Sequence, residues 1–123
     1  AYDYDPWGPL TNERIFFDTN KIGSARDGCT VDAAGNLWTA LIGSGEIACI
    51  DPEGVLKVRL EMPLPLPSSV NFGGSTLSTL YVTSISNSGN RTDNHPLSGH
   101  VFALHDVGET GLKEPRFGML SSL

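Results

Sequence analysis

The sequence predicts an all-β fold built from the four-stranded antiparallel sheets of a β-propeller, about two and a half blades in all. The chain of 123 residues contains 14 glycines and 8 prolines, and its apolar runs are short. No window keeps a 3.6-residue apolar period over ten positions, which argues against helices. A sequence pattern also recurs at an interval in the mid-forties, the length of a blade of four short strands.

Nine strands are predicted from apolar, β-branched and aromatic runs that lie between turn signals. They cover residues 2–5, 14–18, 29–32, 37–42, 46–50, 56–62, 69–72, 80–84 and 100–104. Residues 32–36 and 51–54 each begin with aspartate and contain a glycine that can take positive φ, so both are predicted hairpin turns. Residues 86–98 are rich in Ser, Asn, Gly, Asp and Pro and predict a long loop.

An internal repeat supports the blade interpretation. The segment LWTA at 37–40 recurs as LYVT at 80–83, 43 residues later. YDYDP at 2–6 resembles ACIDP at 48–52, and FALHD at 102–106 continues the series. Repeats of this length are single supersecondary units that bury their faces only against neighbouring copies.

The repeat divides the chain into three parts within one partial propeller domain. We assign residues 1–25 to the end of one blade, 26–66 to a full blade, and 67–118 to a final blade with the inserted loop 86–98. Propellers close with about four to eight blades, so this chain cannot close alone. Blade faces left exposed would lose on the order of 10 kcal/mol of stabilisation from apolar burial. We therefore expect self-association or a complementary N-terminal half as partner.

Composition excludes several classes of partner and location. A net charge of −6 with only 8 Lys and Arg gives no basic surface for nucleic acid. No apolar run is long enough for a membrane span, and no signal peptide is visible, so a cytoplasmic location is expected. Cys29 and Cys49 lack zinc-site spacing and are predicted to be small buried hydrophobes.

Two further motifs have ordinary structural explanations. The segment GSGEIA at 43–48 fits a nucleotide-binding fingerprint, but Asp51 and Pro52 leave no room for the helix that binds phosphate, so a tight turn between strands is predicted. The three histidines stand at intervals of five, which suits no metal pair on a helix or a strand. His95 is predicted on the loop, and the other two are predicted to flank the last strand.

Two nearby aspartates have different interpretations. Asp32 opens the predicted hairpin 32–36 and is interpreted as a turn residue. Asp27 precedes the first strand of a blade, which lines the channel of a propeller, and Gly28 would let the backbone approach a ligand closely. The equivalent position in the next blade is about Ser68, so the repeat itself requires no carboxylate there. A ligand-binding role and a turn-capping role for Asp27 both stay open on this pattern.

The sequence resembles the gluconolactonase, regucalcin (senescence marker protein) and luciferin-regenerating enzyme family of six-bladed β-propellers. The resemblance is carried by YDYDPWGPLTNERIFFD at 2–18, RDGCTVDAAGNLWTALIGSGEIACIDPEGVL at 26–56, SSVNFGGSTLSTLYVTS at 68–84 and GHVFALHDVGETGLKEPRF at 99–117. It implies a partial six-bladed propeller that corresponds to the C-terminal half of such a protein. It also implies hydrolysis of a small sugar lactone with a divalent metal, calcium or zinc.

The resemblance assigns one site residue in this chain. Asp27 matches the aspartate of the family's Pro-Asp-Gly turn, with Arg26 in place of proline, and would bind the metal and accept a proton in catalysis. The remaining family ligands would precede Ala1, so the metal site is incomplete and the isolated chain is expected to be inactive. Two alternatives stay open: a non-catalytic half-propeller that self-assembles as a binding or scaffold module, and a truncated piece of a longer enzyme.

Overall fold

The computed structural model describes residues 1–115, which form seven strands in two antiparallel sheets. The strands are β1 (Ala25–Val31), β2 (Leu37–Ile42), β3 (Glu46–Ile50), β4 (Leu56–Glu61), β5 (Pro67–Gly73), β6 (Thr79–Ser84) and β7 (Val101–Leu104). A single 3-10 turn, Thr19–Ile22, precedes β1. The all-β prediction is confirmed. Within this part of the chain no helix is long and apolar enough to cross a membrane.

The first sheet has the strand order β1-β2-β3-β4, the meander expected of one blade. Asp32 and Asp51 begin the turns after β1 and β3, and each accepts two backbone N–H groups of its own turn. Gly35 and Gly54 follow at φ 86° and 80°, a backbone conformation that glycine adopts without a Cβ penalty. Both predicted hairpin turns are confirmed, and so is the turn at 43–45 between β2 and β3.

The second sheet has the order β5-β6-β7, so the described part of the chain gives three strands to this sheet. The connection between β6 and β7 is long, as predicted, and contains a single bridge between Asn87 and Thr92. The blade boundaries given above remain a prediction, and residues 116–118 of the last blade lie outside the described part. His100 and His105 flank β7 and His95 lies on the loop, as predicted.

One apolar core joins the two sheets. It consists of Trp38, Ala40, Ile47, Cys49, Val70, Phe72, Leu80 and Val82, all buried. The rings of Trp38 and Phe72 meet edge to face, with centroids 5.8 Å apart and planes at 89°. Backbones of the two sheets approach most closely where β5 lies against β1 and β2. The contact between β1 and β5 is here called the inner edge. It brings together the first strands of two successive blades.

The two predicted strands at residues 2–5 and 14–18 are wrong for this structure. A strand needs a neighbouring strand to satisfy its backbone groups. In the described residues the N-terminal segment pairs only with itself, through one bridge between Asp3 and Thr11. Residues 16–22 instead run across the face of the first sheet opposite the shared core, here called the far face. There Phe16 and Phe17 pack against a second cluster that includes Leu41.

The two cysteines differ, which corrects part of the sequence prediction. Cys49 is buried in the core as predicted, and desolvation raises the pKa of its thiol to about 11. Cys29 is exposed instead. Cys29 stands on β1, an edge strand of its sheet, where its side chain remains exposed.

Residues 109–111, here called the strap, form hydrogen bonds with turns of both sheets. Thr110 accepts a hydrogen bond from the N–H of Ala33 (2.8 Å), and Gly111 donates to the carbonyl of Leu77 (2.8 Å). Glu109 accepts a hydrogen bond from Lys57 (3.1 Å), which raises the pKa of that ammonium group. The strap therefore links the turn after β1 with the turn before β6.

Candidate functional site

Asp27 lies inside β1, two residues after the start of the strand, and not before the strand as the sequence predicted. The pairing of β1 with β2 shifts between Arg26 and Cys29, so Asp27 and Gly28 together oppose one residue of β2. This is a β-bulge, a feature that redirects side chains and often stands beside a functional site. The Asp27 side chain is exposed.

The bulge lies on the inner edge, beside the first strand of the next blade. A Cβ built on Gly28 would come within 2.6 Å of the Cβ of Ser69 and 2.9 Å of its Cα, so only glycine fits this close approach. Two residues further along, the hydroxyl of Thr30 donates to the Oδ1 of Asn71 (3.1 Å). The strand that carries Asp27 is therefore held directly against β5. The sequence suggested that Gly28 allows close approach, and the structure assigns that approach to a protein neighbour.

Asp27 borders an open cleft at the start of β1, here called the Asp27 cleft. Its lining residues are Thr19, Asn20, Ala25, Arg26, Asp27 and Gly28. Thr19 and Asn20 come from the 3-10 turn, whose N-cap Asp18 accepts hydrogen bonds from the backbone and side chain of Asn20. Sequence reasoning did not find these two residues, although Asp18 just before them is of a residue type that commonly caps a turn by accepting a backbone N–H two positions on.

Both carboxylate oxygens of Asp32 are used in hydrogen bonds that hold the turn after β1. Only 1% of the residue is exposed. Oδ1 accepts the N–H groups of Ala34 and Asn36 (2.9 Å each), and Oδ2 accepts Asn36 Nδ2 (2.7 Å) and Trp38 Nε1 (2.8 Å). Burial alone would raise the pKa of Asp32, but these hydrogen bonds outweigh burial and hold the pKa below its usual range. The predicted turn role is confirmed, with an added bond to the core tryptophan.

The described residues do not form a complete metal site by themselves. Among residues 1–115 no group of three His, Cys, Asp or Glu side chains is placed to hold an ion. Calcium takes about six to eight oxygen ligands and zinc about four ligands, whereas the Asp27 cleft offers one carboxylate. A carboxylate oxygen suits either ion, so Asp27 fits as one contributor to a site and requires ligands from elsewhere.

Comparison with known proteins identifies the family of the chain. A family model described as the SMP-30/gluconolactonase/LRE-like region matches residues 1–86. The 6-deoxy-6-sulfogluconolactonase of Pseudomonas putida is 37% identical over 97 residues, which cover 77% of this chain and 33% of that protein.

Two solved structures share the fold. A luciferin-regenerating enzyme superposes with a TM-score of 0.76 at 33% identity, over 90% of this chain and 38% of that one. A calcium-binding protein, regucalcin, from Agrobacterium tumefaciens superposes with a TM-score of 0.75 at 29% identity, over 93% and 38%. The chain thus spans between a third and two fifths of the length of these proteins. Its two sheets are part of a β-propeller, and the chain belongs to the SMP-30/gluconolactonase/LRE-like family.

Proposed function

We propose that the chain forms the C-terminal part of a metal-dependent sugar-lactone hydrolase, in which Asp27 contributes one carboxylate to a divalent metal site. The observation that carries this proposal is the position of Asp27, exposed in a bulge on the inner edge where two blades meet. Two relatives support the chemistry, since one is named a lactonase and another is described as calcium-binding.

The proposed reaction is hydrolysis of the ring ester of a sugar lactone. A bound calcium or zinc ion would polarise the ester carbonyl and orient the attacking water. Asp27 is exposed, so its carboxylate can reach both a ligand and solvent, as a group that accepts a proton must. Its backbone is held in place by the contact between Gly28 and Ser69. That contact keeps the backbone that carries the carboxylate close to the neighbouring blade.

One carboxylate is too few for tight metal binding, so the chain alone is expected to be inactive. The missing ligands would come from a complementary N-terminal half or from a second copy of the chain. Either partner would also cover blade faces that one copy leaves open. The substrate is a small sugar lactone in both cases.

The test measures metal binding and turnover separately. Calorimetric titration with calcium and with zinc is carried out on the chain alone and on the chain mixed with the N-terminal half of a family propeller. Hydrolysis of gluconolactone is followed by pH-stat in the same samples. We expect turnover only in the completed sample, with a loss of metal binding and activity in Asp27→Asn. The control is Asp51→Asn, which alters an aspartate of a distant turn. Full activity of Asp27→Asn, or turnover without metal, would contradict the proposal.

A second candidate function is a non-catalytic half-propeller that assembles with itself as a binding or scaffold module. The observation that favours it is the set of large apolar side chains on the N-terminal segment that stay in solvent. Trp7 is 95% exposed, Ile15 85% and Tyr4 78%. Light scattering after size exclusion should then give a dimer that binds no metal, whereas a stable monomer would contradict this candidate.

A further inference from the structure

Among the described residues that line the Asp27 cleft, Arg26 is the cationic one. It stands next to Asp27 in β1, immediately before the bulge, and its side chain is exposed. It also lines a second cleft, which lies between residues 14–20 and the far face of the first sheet. Arg26 therefore lines two open clefts and is exposed to solvent.

Among the residues that the structure describes, the guanidinium of Arg26 forms no ion pair that would hold the fold together. Within residues 1–115, ion pairs are formed by Arg14 with Asp3, Lys57 with Glu109 and Arg59 with Glu46. Arg26 takes part in none of these three pairs. An arginine offers five N–H donors in a planar fork that matches two oxygens of a carboxylate or phosphate. The N–H donors of the Arg26 guanidinium are therefore available to bind a ligand at this cleft.

We propose that Arg26 selects lactones that carry an oxyanion substituent, a carboxylate or a phosphate, on a ring carbon remote from the ester. The inference rests on the proposed function, because a cation bound at Asp27 would cancel the repulsion between its carboxylate and an anionic ligand. Asn20 also lines the cleft and is exposed, so its amide suits a sugar hydroxyl, whereas Thr19 is buried. The net charge of −6 disfavours anions elsewhere on the chain, so selectivity has to come from a local cation.

The test compares two stable six-membered sugars that differ only at C6: methyl β-D-glucopyranoside, which is neutral, and methyl β-D-glucuronide, which carries a carboxylate. Glucose 6-phosphate is the third probe and carries a phosphate on C6. Binding is followed in calcium-containing buffer through the Nε–H resonances of ¹⁵N-labelled arginine. We expect the two anionic probes to bind about tenfold tighter than the glucoside and to shift the Arg26 resonance, since charge-assisted bidentate pairs contribute this much.

Three variants decide the result. Arg26→Gln should remove the tenfold preference, Arg26→Lys should keep part of it because the charge stays without the fork, and Arg91→Gln should keep all of it. Arg91 is the control because it is an exposed arginine on the long loop that does not line the Asp27 cleft. Equal affinity for all three probes, a preference that survives in Arg26→Gln, or one that is lost in Arg91→Gln would each overturn the inference.

The metal titration of Asp27→Asn separates this inference from the proposed function. If calcium binding depends on Asp27 but the anion preference does not depend on Arg26, only the Arg26 assignment is removed. Calcium binding that does not depend on Asp27, together with an anion preference that depends on Arg26, removes the metal role of Asp27 and leaves the oxyanion subsite in place.

Discussion

Replacement of Asp32 by asparagine tests whether this buried carboxylate holds the first blade together. The carboxylate accepts four hydrogen bonds, two on each oxygen. Asparagine keeps one acceptor oxygen and replaces the other with an NH₂ group. If the retained oxygen accepts the turn amides, the side-chain N–H groups of Asn36 and Trp38 lose their acceptor. Each buried unsatisfied donor costs about 1–3 kcal/mol, so we expect Asp32→Asn to lower the free energy of unfolding by about 3 kcal/mol.

The matched control is Asp51→Asn, in the equivalent turn after β3. Among the described residues, the hydrogen bonds to the Asp51 carboxylate all go to Oδ1, from the N–H groups of Glu53 (3.1 Å) and Val55 (2.7 Å). An asparagine carbonyl can replace that oxygen, so the expected cost is about 0.5 kcal/mol. Urea unfolding followed by tryptophan fluorescence measures both variants, because Trp38 is buried and Trp7 is already 95% exposed. Equal costs for the two variants would refute the reasoning.

The pH dependence gives a second check on Asp32. Its folded-state pKa lies below the ordinary value of 3.8, which the unfolded chain retains. The resulting stabilisation is therefore complete above pH 3.8 and is lost as the pH falls through the folded-state pKa. The stability difference between the wild type and Asp32→Asn should be constant near neutral pH and narrow below pH 3.8. A difference that widens on acidification would contradict the direction of the pKa shift.

Three further predictions follow from close contacts and burial. Gly28→Ala should lower the free energy of unfolding by about 1–3 kcal/mol, because its Cβ would lie 2.6 Å from a serine Cβ of β5; an unchanged urea midpoint would contradict that contact. Gly111→Ala should have a similar cost, since its Cβ would lie 2.7 Å from a phenylalanine ring carbon of β5, and hydrogen exchange should show a loosened strap. At pH 8 a thiol reagent should modify Cys29 quickly and Cys49 only on unfolding, because the Cys49 thiol is buried with a pKa of about 11. Equal rates for the two thiols would show that Cys49 is accessible.

Local sequence signals were sufficient to predict most of the fold. Turn residues such as Asp32 and Asp51, each followed by a glycine at positive φ, depend on a few neighbouring residues and determine the hairpins wherever the chain folds. The repeat of LWTA as LYVT likewise marked equivalent strands of two blades, which appear as β2 and β6. The turns depend on a few neighbouring residues and the repeat is a comparison of two short segments, so both can be predicted without knowledge of tertiary contacts.

Tertiary structure decided the features that depend on distant neighbours. Residues 2–5 and 14–18 have the composition of strands, yet pairing requires a partner strand, and the described residues supply none. Cys29 is apolar enough for a core but stands on an edge strand. Asp27 came from the sequence as a candidate, but its place in a bulge beside β5 depends on the contact between Gly28 and Ser69. A contact across 41 residues of chain is set by packing of one blade on the next, which no local pattern encodes.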